Sequence, residues 1–176
     1  MPFSVAAIAI THPTSLFLTA GHEPCGMALP IDPAALDPDD YGEQQTTLRM
    51  EHAEAIEYVR EVCLEQGFGI PVEFSPSEML NEKVAAGRDP YYVLGACNPE
   101  MADRALDATD KRIGALFPCN MVIWQEKPDV QRVYHLSIMK LARLLGLATD
   151  EAEMDSIIDD TGEMVEAVFA ELDGDA

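Results

Sequence analysis

The sequence predicts an α+β fold: a two-layer arrangement in which one mixed β-sheet is backed by helices, with an amphipathic, acidic helix at the C-terminus. Three observations carry that expectation. Short apolar runs alternate with segments of helical periodicity, the pattern of strands and helices that share one core. Two of the runs are joined by Lys127-Pro128-Asp129, a turn short enough for a hairpin. After Arg143 there is no base, eleven acids run from Asp150 to Asp175, and Met154, Ile157, Ile158, Thr161, Val165, Val168 and Leu172 fall on one helical stripe.

The elements follow in order. Residues 1–43 read as an irregular extension and 44–176 as a single domain. The first 26 residues hold one acid, Glu23, and no base. Phe3–Leu18 is apolar but too short and too interrupted to span a membrane, and no positive region precedes it as in a secretory signal. Met27 is an alternative start. Gln44–Met50 is a strand, 51–66 a helix ended by Gly67 in a left-handed cap, and Gly69–Phe74 a strand. Ser75 or Ser77 caps a short helix over Glu78–Ala85. Tyr91–Ala96 is a strand. Asn98, Pro99 and Glu100 supply an N-cap, a first-turn proline and a first-turn acid for a helix running to about Ala108. Asn120–Glu126 and Val130–Ile138 form the hairpin, with Gln131, Val133, His135 and Ser137 on one partly wet face. The strands at Tyr91 and Asn120 are apolar on both sides, so both sides need cover; the terminal helices supply one, and a second copy in a homodimer part of the other.

Composition narrows the surroundings. With 32 acids against 11 bases the formal net charge is -21, and only four of the bases are lysines. Self-repulsion of that size destabilises a compact state unless ions screen it, and at molar salt the screening length falls to about 3 Å. An acid-rich, lysine-poor surface therefore points to a halophilic organism and a salty cytoplasm. The same charge argues against nucleic acid and against anionic membranes as partners, since no basic patch exists to displace counterions from phosphate. Cys25, Cys63, Cys97 and Cys119 are widely spaced, which is not a disulfide framework; reduced thiols are expected.

Two stretches could carry chemistry: Leu94-Gly95-Ala96-Cys97-Asn98-Pro99 and Leu116-Phe117-Pro118-Cys119-Asn120. Each sets a cysteine before an asparagine at a strand end. Cys97 lies just ahead of a helix N-terminus, where the macrodipole is expected to lower a thiol pKa. A parallel crossover would separate the two sulfurs by roughly 17 Å, a five-residue strand. The helix after Cys97 descends about 16 Å by Ala108, however, and Thr109–Phe117 is long enough to climb back. That second route, which brings the thiols to one end of the sheet, is favoured. If they converge, a redox or sulfur-handling pair (Cys97 and Cys119 as catalytic thiols), a small-molecule pocket with Asn98 and Asn120 as ligand-binding amides, and a metal site compete. His135 alone would add to the sulfurs, which is short for zinc, so no metal and no cofactor is expected. Two ordinary buried cysteines are the alternative to all three. Asp160-Thr161-Gly162 spells the aspartic-protease tripeptide but lies in an acidic helix instead of a strand-to-loop bend, and is a coincidence. Gly67-Phe68-Gly69 lacks the third glycine of a phosphate loop. Whether the protein is an enzyme stays open.

The chain resembles the bacterial and archaeal family called domain of unknown function 302. The resemblance covers about Gln44–Ile138 and is closest at Glu65-Gln66-Gly67-Phe68-Gly69, Leu94–Pro99 and Pro118-Cys119-Asn120. It implies a small two-layer α/β domain and no established activity. Beyond the last strand, Met139-Lys140-Leu141 replaces the acidic, proline-containing turn usual in the family.

Overall fold

In a computed structural model of the protein, residues 32–174 are described. Cys25, Met27, His12 and His22 lie outside them, as does most of the expected extension. Within 33–43 the chain makes two short 3-10 turns, Pro33–Ala35 and Pro38–Tyr41. The second is closed by a capping box: the Asp37 carboxylate accepts from the Asp39 and Asp40 amides, and that of Asp40 accepts from the Asp37 amide.

Five strands form one sheet: β1 Gln44–Leu48, β2 Gly69–Phe74, β3 Tyr91–Cys97, β4 Cys119–Lys127 and β5 Val130–His135. Their spatial order is β1-β5-β4-β3-β2, and every neighbouring pair is antiparallel. The α+β class therefore holds, with a sheet more uniform than the mixed one expected. The helices are α1 His52–Glu65, α2 Pro76–Val84, α3 Pro99–Asp107, α4 Ile138–Leu144 and α5 Glu151–Gly174, with a 3-10 turn at Arg112–Leu116. Gly67 ends α1 at φ +83°, and Ser75 caps α2 by accepting from the Glu78 amide at 3.2 Å. Ser77 instead pins β3: its hydroxyl accepts from the Tyr91 amide at 2.9 Å and donates to the Tyr91 carbonyl.

The core has two compartments that meet along α5. On the sheet, Leu94, Met121, Ile123 and Val133 pack under Val59 and Cys63 of α1 and Val168, Phe169 and Leu172 of α5. Beyond the sheet's end, Met154 and Ile157 of α5 close over Ala105 of α3, Ile113, and Met139 and Ala142 of α4. At 1.5 Å per residue the 24-residue α5 is about 36 Å long, enough to serve both. Its acids face outward, and several meet bases: Arg104 of α3 bonds Glu153 at 2.7 Å and Asp160 at 2.6 Å. Among the described residues no helix is long and apolar enough to cross a membrane.

Two expectations are corrected. The face of Gln131, Val133 and His135 is dry: these residues are 0%, 0% and 2% exposed. Their polarity misleads because each polar group is satisfied internally. The Gln131 amide bonds His52 Nδ1 at 2.9 Å and donates to the Met50 carbonyl at 3.1 Å. The second correction is at Ser137, which is no strand residue. It caps α4, accepting from the Lys140 amide at 3.2 Å, so the chain leaves the sheet at His135 and turns into a helix.

Candidate functional site

Cys97 is the last residue of β3 and Cys119 the first of β4, and in the antiparallel register Ala96 lies opposite Cys119. The chain doubles back through α3 and the 3-10 turn at Arg112–Leu116, so both sulfurs reach one rim of the sheet. They line a common crevice with Phe68, Met101, Phe117 and Met139. Its free space is about 10 Å³, room for at most one water. Gly95 explains part of the surrounding sequence. A Cβ there would lie 2.5 Å from Pro118 Cγ and 2.6 Å from Val72 Cγ1, so only glycine lets β2 and the Pro118 turn close over the strand.

The electrostatics run against the expected thiolate. Burial pushes the Cys97 thiol above its ordinary value, despite the helix N-terminus beside it. Burial, and secondarily the nearby Cys97 sulfur, push Cys119 up to about 12. Cys63, fully buried in α1, is likewise raised to about 12 and belongs to the core. Desolvation outweighs the dipole because the ionised sulfur would sit among Phe, Met and Ile side chains, and no hydrogen bond reaches it from the described residues. All three described cysteines are free thiols.

The two asparagines do not converge. Asn98 caps α3, its carbonyl oxygen accepting from the Met101 amide at 3.0 Å while its amide nitrogen donates to the Gly67 carbonyl at 3.1 Å. It staples the α1–β2 turn to the start of α3, with both ends of its amide occupied. Asn120 is exposed and follows Cys119 on the strand, so its side chain points to the opposite face of the sheet, beside Val122 and Trp124. The expected four-residue site is therefore split between the two faces.

In the sequence His135 offers itself only as a metal ligand. It is buried, its Nδ1 bonds the Asn120 carbonyl oxygen at 3.1 Å, and burial lowers its pKa, so the neutral ring donates through Nδ1. It shares with Cys119 a second cavity of about 70 Å³, which Ser137, Lys140 and Glu166 also line. Among the described residues no group of three or more His, Cys, Asp or Glu side chains is placed to hold a metal ion. A further candidate, beyond the residues the sequence singles out, is Arg88 with its neighbours on the open face. Their signal was a run of large apolar residues (Val72, Phe74, Met79, Leu80, Val84 and Tyr91) that are all exposed.

A single antiparallel sheet with α1 and α5 packed on one face and a cysteine pair at one rim defines the class. The chain belongs to the family described as domain of unknown function DUF302, whose sequence model matches residues 44–172, well beyond the stretch in which the resemblance was legible. Among solved structures it is similar to the crystal structure of an uncharacterized conserved protein DUF302 from Bacillus stearothermophilus. The identity is 26% and the TM-score 0.63, covering 73% of this chain and 95% of that one. No curated protein matches the chain.

Proposed function

We propose that this is a thiol-based redox or sulfur-handling protein that works through Cys97 and Cys119. The observation supporting this is their shared rim: two free thiols from adjacent antiparallel strands on one crevice. Cys97 ionises first. Its thiolate attacks a low-molecular-weight disulfide, forming a mixed disulfide and releasing one thiolate. Cys119 then gives up its proton to solvent and attacks Cys97 Sγ, expelling the second thiolate and leaving a Cys97–Cys119 disulfide. Two electrons pass to the substrate, and both protein sulfurs are oxidised. Because burial keeps both thiols protonated at neutral pH, the exchange is slow there and accelerates as pH rises.

The test is to treat the protein with oxidised glutathione and map the products. Wild type is expected to lose two hydrogens and yield one cross-linked 97–119 peptide, and Cys119→Ser to stop at the mixed disulfide on Cys97. Folded protein whose Cys97 and Cys119 stay unmodified even in alkaline buffer sinks the reading.

The same proposal places the protein in a reducing, high-salt cytoplasm, because of its charge of -21 and scarcity of lysine. Its melting temperature is expected to rise from low to molar potassium chloride; equal stability in both rejects the halophilic origin. A homodimer is proposed in which a second copy covers only part of the open side of the sheet, at the Tyr134 end and away from the β2–α2–β3 corner. A monomeric mass by equilibrium sedimentation in molar salt removes it.

A further inference from the structure

The side of the sheet turned away from α1 and α5 carries a groove of about 740 Å³. Its floor is Val93, Val122 and Trp124 of β3 and β4, and its far wall is Phe74 and Leu80 of β2 and α2. This is the size and lining of a site for a small apolar molecule, 300–1,000 Å³ with a few polar groups at the edge. Six of the eight large apolar residues exposed on the described surface, Val72, Phe74, Met79, Leu80, Val84 and Tyr91, belong to the β2–α2–β3 corner around it. Apolar surface gathered at one corner of so acidic a protein marks a place that binds something.

What it binds is indicated by Arg88, at the groove's mouth. Arginine is scarce in this chain, and carboxylates are abundant. Arg60, Arg104, Arg132 and Arg143 each pair with at least one acid, and Arg112 donates to two carbonyls. The Arg49 and Arg88 guanidinium groups make no hydrogen bond or ion pair among the described residues, and of these two it is Arg88 that lines the groove. The position of Arg88 is nevertheless fixed. The Asn81 side chain accepts from the Arg88 amide at 2.7 Å and donates to the Arg88 carbonyl at 2.9 Å, clamping the loop to α2. A clamped backbone holding an unspent, bidentate-capable cation beside an apolar trough is the arrangement that receives a carboxylate with a hydrocarbon body. Asp89 lines the same mouth and opposes such a ligand without pairing with Arg88.

We propose that this groove is a binding site for an apolar carboxylate, its hydrocarbon part on Val93, Val122 and Trp124 and its acid group on Arg88. The site is on the opposite face from the thiols and does not depend on them. The sign of the ligand's charge is diagnostic. A protein of net charge -21 attracts cationic amphiphiles in general, so preference for an anion requires a local cause.

Trp124 is the only tryptophan in the chain, so its emission reports occupancy of the groove directly. In a titration in molar potassium chloride, below micelle-forming concentrations, decanoate is expected to shift that emission saturably. It should bind at least tenfold more tightly than decyltrimethylammonium. Arg88→Gln, an exposed change that leaves the core untouched, should weaken decanoate about tenfold and leave decanol unchanged. Asp89→Asn should tighten decanoate, and Leu80→Glu should weaken decanoate and decanol alike. An unsaturable response, equal or tighter binding of the cation, or indifference to Arg88→Gln overturns the proposal. So does a Leu80→Glu variant that halves the molecular mass with decanoate binding unchanged, since the groove is then a subunit interface.

Discussion

Strands β3 and β4 present two apolar faces, and the fold treats them differently. On one, Leu94, Ala96, Met121 and Ile123 are 0% exposed beneath α1 and α5. On the other, Val122 and Trp124 keep accessible surface and only α2 lies alongside. Nothing in the strands' own residues distinguishes the two. The difference is made by where the connections run, and it sets the chemistry on each side. The covered side is dry enough to hold thiols protonated near the rim. The open side keeps a trough, a tryptophan and a free guanidinium in contact with solvent.

The largest test of that contrast is a pair of truncations one residue apart. Ile123→Ala removes a side chain that α1 and α5 enclose, leaving a cavity they cannot fill, and should cost about 2–5 kcal/mol. Val122→Ala trims a residue that water already reaches and should cost under about 1 kcal/mol. Denaturant unfolding in molar salt measures both. Equal losses would mean that the open face is covered in solution, and would favour the dimer.

The two Cys-Asn pairs sharpen the comparison at smaller scale, because the sequence makes them look like twins. Asn98→Ala removes an N-cap and a second hydrogen bond that ties α3 to the Gly67 turn, and is expected to destabilise by about 1–2 kcal/mol. Asn120→Ala removes an exposed side chain for which the described residues provide no hydrogen-bond partner, and should stay within about 0.5 kcal/mol. Asn98→Asp separates the two bonds of Asn98: it keeps the acceptor for the cap and loses the donor to Gly67. Comparable losses at 98 and 120 would contradict the assignment of Asn98 as a staple and Asn120 as a groove residue.

Much of this architecture was legible because it is local. The left-handed Gly67, the Asn98 cap with Pro99 behind it, the hairpin and the stripe of α5 are each announced within a few residues of where they act. The convergence of Cys97 and Cys119 was also legible, through the length of chain needed to climb back to the rim. What failed depended on partners distant in sequence. Gln131 and His135 read as wet because polarity is visible in a sequence, whereas the His52 ring and the Asn120 carbonyl that satisfy them are not. The Cys97 pKa was read from the helix dipole alone, since the desolvating Met101, Phe117 and Met139 arrive from three different segments. Helix α4 has no counterpart among the expected elements, because the strand expected over 130–138 takes in its cap, although Ser137 followed by Ile-Met-Lys-Leu-Ala-Arg-Leu is a cap and a helix. Arg88 is silent in the sequence because an unpaired arginine becomes informative only once the groove it lines is known.

The smallest expected effect concerns the proton that His135 does not take up. Burial holds its folded pKa below the ordinary 6.5, although the hydrogen bond to the Asn120 carbonyl partly offsets that. The unfolded chain therefore binds a proton that the folded chain refuses. Stability from this site is complete above about pH 6.5 and falls as pH drops from there toward the lowered folded value. One proton's linkage tilts stability by at most about 1.4 kcal/mol per pH unit. Lys140 and Glu166 line the same cavity, and carboxylates are plentiful on the surface, so the wild-type profile alone does not isolate the histidine. The difference between wild type and His135→Gln does. Unfolding free energies measured from pH 7.5 to 5 in molar potassium chloride should converge as pH falls, with wild type losing more than the variant. Parallel profiles would mean that the ring is charged or hydrated in the folded protein, and the covered face would then be wetter at its rim than its packing implies.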